Sequence, residues 1–362
     1  MKRRNFLKYS SAFSASSLIA SSAFASIIIP KVKDKLGVAL VGLGYYSTDL
    51  LAPGLQVTEH CELKGIVSGS PDKIAKWQSQ YNIPYNNIYN YNSFDSIANN
   101  PDIDVIYIVL PPSMHKEFVI RAAAAGKHVW CEKPMAMDAA ECREMIDACN
   151  KNKVSLAIGY RMHHEPQTQL LMKWAIEKPY GKIKSLSAKA GYRENRTDHW
   201  KQKKEMGGGV MRDMGVYPLN AVRYATGLEP ISVMAKASTT RPEIYKNVEE
   251  TMNFELEFPG RLIATCEASF GKGMNTLDVK CKKGGYVVDP FQAYTGAVIK
   301  TTDGKKLDAK LKHQQAKQMD DDALSIMNKK PMLVPGEEGL KDMIVIDAIY
   351  KSVGSGKKEK IG

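Results

Sequence analysis

One turn constrains this chain most. Lys35–Val41 (KLGVALV) reads as a buried strand, and Gly42-Leu43-Gly44-Tyr45-Tyr46-Ser47 follows it, opening a helix near Tyr45. The first glycine allows a tight turn, the second lets the backbone approach a pyrophosphate, and the helix N-terminus supplies positive potential. Serine in the last place is small enough to keep helix and strand packed. Such a turn can also hold nothing, so its surroundings decide. Apolar strands recur at 36–41, 62–67, 104–110, 127–131 and 154–158, with helical stretches near 46–57, 71–81, 93–98, 115–125 and 138–151. That alternation implies a parallel sheet covered on both faces, with a dinucleotide at the ends of its strands.

From about residue 182 the period changes. Segments 183–191, 231–239, 251–258, 261–270, 276–282 and 286–288 read as strands joined by turns such as Pro259-Gly260 and Lys283-Gly284-Gly285. Helices near 165–178 and 215–226 would cover this sheet. The fold expected is an α/β Rossmann-type domain followed by an α+β domain with a large, mainly antiparallel open sheet. The boundaries read as 1–25 leader, 26–155 nucleotide domain, 156–337 substrate and oligomerisation domain, and 338–362 a helix returning to the first domain. An open sheet of six or so strands needs cover, so a homodimer or homotetramer through that sheet is expected.

Residues 1–25 read as a twin-arginine export signal to the periplasm: Lys2-Arg3-Arg4-Asn5-Phe6-Leu7-Lys8, a mild apolar stretch, then Ala23-Phe24-Ala25 as an A-x-A cleavage site. Of the formal charge of +12, four units sit in Lys2, Arg3, Arg4 and Lys8. The remaining excess is scattered lysine without basic–aromatic interleaving, which points away from nucleic acid. No apolar run spans a membrane. The six cysteines form no CxxC pair and have no histidine at metal-ligand spacing, so buried free thiols and no metal site are expected.

The strand ends carry the chemistry. The second strand ends at Ser68-Gly69-Ser70-Pro71-Asp72-Lys73, where NAD-specific folds place a carboxylate for the ribose 2′-hydroxyl. Its absence, with Ser68 and Lys73 as donors, favours NADP over NAD; alternatively Ser68 and Ser70 only cap the next helix. Leu110-Pro111-Pro112-Ser113-Met114-His115 leaves the third strand, with Ser113 a candidate N-cap and His115 suited to orienting backbone or ribose. Val129–Pro134 (VWCEKP) delivers Glu132 and Lys133 to the same edge. A lysine in a closed cleft can hydrogen-bond a substrate hydroxyl and lower its pKa. An ordinary Glu132–Lys133 ion pair is the plainer alternative.

The G-x-G-x-x-S turn, Glu132-Lys133-Pro134, Gly159-Tyr160-Arg161 and the D-x-G-x-Y segment Asp213–Tyr217 resemble the Gfo/Idh/MocA oxidoreductases. The likeness is strongest to the periplasmic glucose–fructose oxidoreductase branch, and further stretches such as Ala122–Pro134, Gly207–Gly209 and Pro335–Asp342 extend it along the chain. The resemblance implies that Lys133 contacts the reacting hydroxyl and the nicotinamide region, and that Asp213 positions the sugar or Lys133. It makes Tyr217, where most members have histidine, the general acid/base, with Arg161 and Trp200 lining the cleft. A core aromatic on a helix face is the other reading of Tyr217. Two features depart from that branch. Only about ten residues separate leader and first strand, too few for its cofactor-retaining arm, and the substrate-facing loop Tyr192–Lys204 and Arg212 differ.

The expectation is therefore an exported NADP-dependent sugar or polyol oxidoreductase. Outside the cytoplasm its cofactor must stay bound, and a second carbonyl compound must close the redox cycle. The alternatives are a nicotinamide-dependent glycoside hydrolase using transient C3 oxidation, or a non-catalytic NADP- or sugar-binding protein.

Overall fold

The computed structural model describes residues 33–362, and the leader read at 1–25 lies outside them. Leu36–Val41 (β1) is buried along its whole length. Its side chains alternate between two cores: Val38 and Leu40 face one, Ala39 and Val41 the other. A strand covered on both faces is what a continuous apolar run encodes. Around it lie Cys61–Val67 (β2), Ile88–Tyr89 (β3), Val105–Ile108 (β4), His128–Cys131 (β5) and Leu156–Ile158 (β6). All pair in parallel in the order β3-β2-β1-β4-β5-β6. The order reverses between β1 and β4, and ligands bind at such a switch point.

A π-helical turn, Ser47–Leu51, runs into the short helix Ala52–Leu55 (α1) after β1. Pro71–Tyr81 (α2), Pro112–Ala124 (α3) and Ala139–Lys151 (α4) complete the crossovers. Pro166–Glu177 (α5) leads to the second sheet, which Val216–Thr226 (α6) covers on one face.

That sheet has nine strands: Ile183–Gly191 (β7), Ser232–Ser238 (β8), Thr251–Phe258 (β9), Leu262–Ser269 (β10), Met274–Cys281 (β11), Gly284–Val288 (β12), Val298–Thr301 (β13), Lys306–Asp308 (β14) and Glu359–Lys360 (β15). Their order is β14-β13-β12-β11-β7-β10-β9-β8-β15. The β7–β10 pair is parallel and every other pair antiparallel. The expected Rossmann-type sheet and mainly antiparallel second sheet are both present.

Three details differ from the sequence reading. The second sheet has nine strands rather than six or so, because the short strands β13, β14 and β15 extend its edges. β6, inside the strand read at 154–158, pairs with β5, so the first sheet crosses the domain boundary read at 155. Gln314–Met327 (α7), assigned to the substrate domain, packs on α1 and β2, with Met319 and Ala323 in the core beneath β1. Gly336–Ser355 (α8) packs on α4 and β6 and also on β8. Arg223 on α6 reaches Glu338 at 2.7 Å and Asp342 at 2.6 Å on α8, tying that helix to the second sheet's cover. All six cysteines are buried and unpaired, and among the described residues no helix is long and apolar enough to cross a membrane.

Candidate functional site

A cleft of about 1160 Å³ opens at the switch point, lined from the first sheet by Gly42–Tyr46, Ser68, Lys73, Leu110, Pro111, Glu132 and Lys133. Gly42 has φ +93°, and a Cβ there would lie 2.4 Å from the Val109 carbonyl oxygen. Gly44 differs: a Cβ would meet nothing within 4 Å, so protein packing does not demand a glycine there. The Ser47 hydroxyl donates to the Gly42 carbonyl at 2.5 Å and locks the turn. A glycine whose smallness serves the cleft alone, ahead of a helix start, fits a pyrophosphate.

At the end of β2 the Ser68 hydroxyl accepts the Ser70 N–H at 3.1 Å. It therefore shapes the turn locally, and the Ser70 side chain caps nothing. Lys73 is exposed at the cleft wall and has no hydrogen-bond or ion-pair partner among the described residues. Three expected cofactor contacts, Ser113, His115 and Arg161, lie off the wall. Pro111, already in extended backbone geometry, takes the N-cap place before α3, so Ser113 lies two positions too far along to cap it. His115 is fully buried, with Nδ1 3.0 Å from the Pro134 carbonyl and Nε2 2.8 Å from that of Leu110. It joins the loop after β4 to the loop after β5, and burial holds its pKa down.

Lys133, Asp213 and Tyr217 meet in the cleft wall. The π-helical turn Met211–Gly215 feeds α6 and carries Asp213 toward Lys133. Lys133 Nζ donates to the Asp213 carbonyl at 2.7 Å, lies 3.7 Å from its Oδ1, and sits 4.7 Å from the centre of the Tyr217 ring. Lys133 thus turns away from Glu132, and no ordinary Glu132–Lys133 ion pair forms. Glu132 instead accepts the Tyr107 hydroxyl at 2.7 Å and the Lys133 N–H at 3.3 Å. Burial pushes its carboxyl up to about 7.

Arg161 does not line the cleft. It is 3% exposed and lies behind the aromatic wall, 5.5 Å from the Tyr217 ring centre and 4.5 Å from that of Tyr294. Burial alone would raise the Tyr217 phenol; Lys133 and Arg161 outweigh it and hold the group below its ordinary value of 10.0. Burial likewise opposes ionisation of Asp213, and Lys201 and Lys133 overcome it to lower its pKa.

Lys201 was not singled out from sequence. Its Nζ contacts Asp213 Oδ2 at 2.6 Å and the Tyr192 hydroxyl at 2.7 Å, beside Trp200 in the cleft wall. The three glycines 207–209 hold its loop: the Gly209 N–H donates to the Lys201 carbonyl and the Gly208 N–H to that of Lys203, both at 2.9 Å. A Cβ on Gly208 would strike both carbonyl oxygens at 2.7 Å. The loop Tyr192–Lys204 does face the cleft, but Arg212 does not; it donates to the Met137 carbonyl and stacks on Tyr350. Among the described residues no group of three acidic, histidine or cysteine side chains could hold a metal.

Residues 36–160 match the family model described as oxidoreductase family, NAD-binding Rossmann fold, and residues 169–287 match the GFO/IDH/MocA C-terminal domain. The solved aldose-aldose oxidoreductase of Caulobacter crescentus, complexed with glycerol, is 37% identical with a TM-score of 0.86, covering 90% of this chain and 99% of its own. The NADP-dependent D-xylose 1-dehydrogenase of Haloarcula marismortui is 26% identical over 326 residues, 87% of this chain and 90% of that protein. The trans-1,2-dihydrobenzene-1,2-diol dehydrogenase of Xenopus tropicalis is 26% identical over 246 residues, 68% of this chain and 72% of its own. With the two family models matched in order over residues 36–160 and 169–287 and a dinucleotide-sized cleft at the switch point, the chain belongs to the Gfo/Idh/MocA family of NAD(P)-dependent oxidoreductases.

Proposed function

We propose that this protein is an exported, NADP-dependent sugar or polyol oxidoreductase that oxidises one aldose or polyol and reduces a second carbonyl compound without releasing its cofactor. The observation that carries the reading is a tyrosine flanked by two cations, Lys133 and Arg161, in the wall of a dinucleotide-sized cleft. Bound nicotinamide supplies the hydride acceptor and donor. Tyr217 takes the substrate hydroxyl proton on its phenolic oxygen and returns it in the reverse direction. Lys133 holds the reacting oxygen and stabilises the phenolate, while Asp213 fixes Lys133. NADP is favoured because Ser68, the residue after β2, stands where a carboxylate would bind a 2′-hydroxyl, and Lys73 offers a free ammonium to a 2′-phosphate. The names of the aldose-aldose oxidoreductase and the NADP-dependent D-xylose 1-dehydrogenase support a sugar substrate, and the second supports NADP. The leader in residues 1–25 makes the site of action the periplasm.

Tyr217→Phe tests the assignment. Aldose oxidation should fall about 10²- to 10⁴-fold with nucleotide still bound. The wild-type oxidation rate should rise with pH as the phenol ionises, with a midpoint below 10, and the variant should lose that limb. Unchanged turnover would remove Tyr217 from the mechanism.

A further inference from the structure

The charges around Asp213 do not balance in pairs. Its Oδ2 lies 2.6 Å from Lys201 Nζ, whereas its Oδ1 lies 3.7 Å from Lys133 Nζ, so the carboxylate leans toward Lys201. Lys201 has no other carboxylate within reach. The nearby Glu194 is held by Arg196, whose Nε donates to it at 2.9 Å. The Lys201 ammonium is further fixed by the Tyr192 hydroxyl, and the rings of Tyr192, Trp200 and Phe270 stand 5.2, 5.7 and 5.8 Å away. A lysine so enclosed holds one position, and its backbone is pinned by Gly209. Lys133, left with the weaker share of Asp213, stands over the Tyr217 ring.

We infer that Lys201 is a positioning residue of the reaction centre: by drawing the Asp213 carboxylate to itself, it leaves the Lys133 ammonium free to face Tyr217. The inference rests on the proposed role of Tyr217 and adds a residue that touches neither the tyrosine nor, by this account, the reacting atoms. The other charged and titratable groups facing Tyr217 are Arg161 from behind, Glu132 beside Lys133, and the phenols of Tyr46 and Tyr294. His199 also faces Asp213. None of them depends on Lys201 for its own placement except through Asp213 and the short loop that His199 shares with it. Without Lys201 the Asp213 carboxylate keeps Lys133 as its ion-pair partner, with only the Tyr192 hydroxyl at 3.4 Å and His199 beside it, and the phenolate loses its share of that cation.

The experiment titrates the Tyr217 phenolate by its absorbance, as the difference between each protein and the same protein carrying Tyr217→Phe. It needs no turnover. Lys201→Met should move the titration to higher pH by about one unit or more, which lowers aldose oxidation at neutral pH about tenfold. Lys201→Arg, which keeps the cation, should hold the wild-type titration. In an Asp213→Asn background, Lys201→Met should produce a much smaller shift. An unmoved titration in Lys201→Met, a shift in Lys201→Arg as large as in Lys201→Met, or equal shifts in both Asp213 backgrounds would each overturn the inference. If the wild type oxidises no aldose or polyol while Lys201→Met still moves the titration, the proposed function fails and the positioning role stands.

Discussion

Glu132 shows how closely one side chain's chemistry is set by its neighbours. It is 7% exposed, and a Cβ at Gly159 would lie 2.6 Å from its Oε1, so the glycine of the 159–161 segment exists to make room for it. Unfolded, the carboxyl ionises near 4.5; folded, burial raises that to about 7. The folded state therefore holds the proton more tightly. The stability linked to this group is complete below about pH 4.5 and is lost as pH rises through 7. Glu132→Gln removes that loss. Urea unfolding should show the variant more stable than wild type by up to about 3 kcal/mol at pH 8 and nearly equal at pH 4; an equal gap at both would contradict the account. Of the residues that meet in the cleft, Lys133 was legible from its strand end, whereas Asp213 and Tyr217 were reached only through the family resemblance of the D-x-G-x-Y segment, since Tyr217 by itself reads as a core aromatic. Lys201 was not, because in Lys201-Gln202-Lys203-Lys204 it reads as one more solvated charge. Its pairing arises only when the π-helical turn brings Asp213 back beneath the loop.

Among elements, the 207–209 glycine run does the most with the least. Gly209 sits at φ +105°, and a Cβ there would lie 2.6 Å from the half-buried carboxylate of Glu249, which itself accepts the Met211 N–H at 2.9 Å. The run thus fixes the Lys201 loop on one side and the start of the Asp213 turn on the other. Gly209→Ala should cost about 1–3 kcal/mol. It should also slacken the Lys201 loop, read as a lowered melting temperature together with a Tyr217 titration moved to higher pH. A melting curve equal to wild type would contradict this. Strands with clear alternation, such as β7 and β9, were legible to the residue. α7 was not: Asp320-Asp321-Asp322 makes it look like surface, yet Asp322 is fully buried and Met319 fills the core under β1. β14 and β15 are too short for any periodicity to declare them.

At the scale of the molecule, the alternation of strand and helix declares the first sheet, and the change of period declares the second. The return of α8 was read from the sequence, but that of α7 was not, because α7 reaches the first sheet through contacts remote in the chain. The uncovered face of the second sheet carries Lys189, Glu255, Glu267 and Lys280, and also exposed Met234, Ile263 and Val287. Mixed charges around apolar side chains suit a second copy of the same face, and sedimentation should report a dimer or tetramer; a monomer at micromolar concentration would contradict that. The proposed export adds the strictest condition, since an enzyme acting outside the cytoplasm has to keep its nucleotide bound. The most direct test is to purify the exported protein without added nucleotide, incubate half with an aldose, denature both halves and identify the released nucleotide by mass spectrometry. The account predicts stoichiometric NADP from the untreated half and NADPH from the treated half. An empty protein, or NADP unchanged by every aldose and polyol tried, would contradict it.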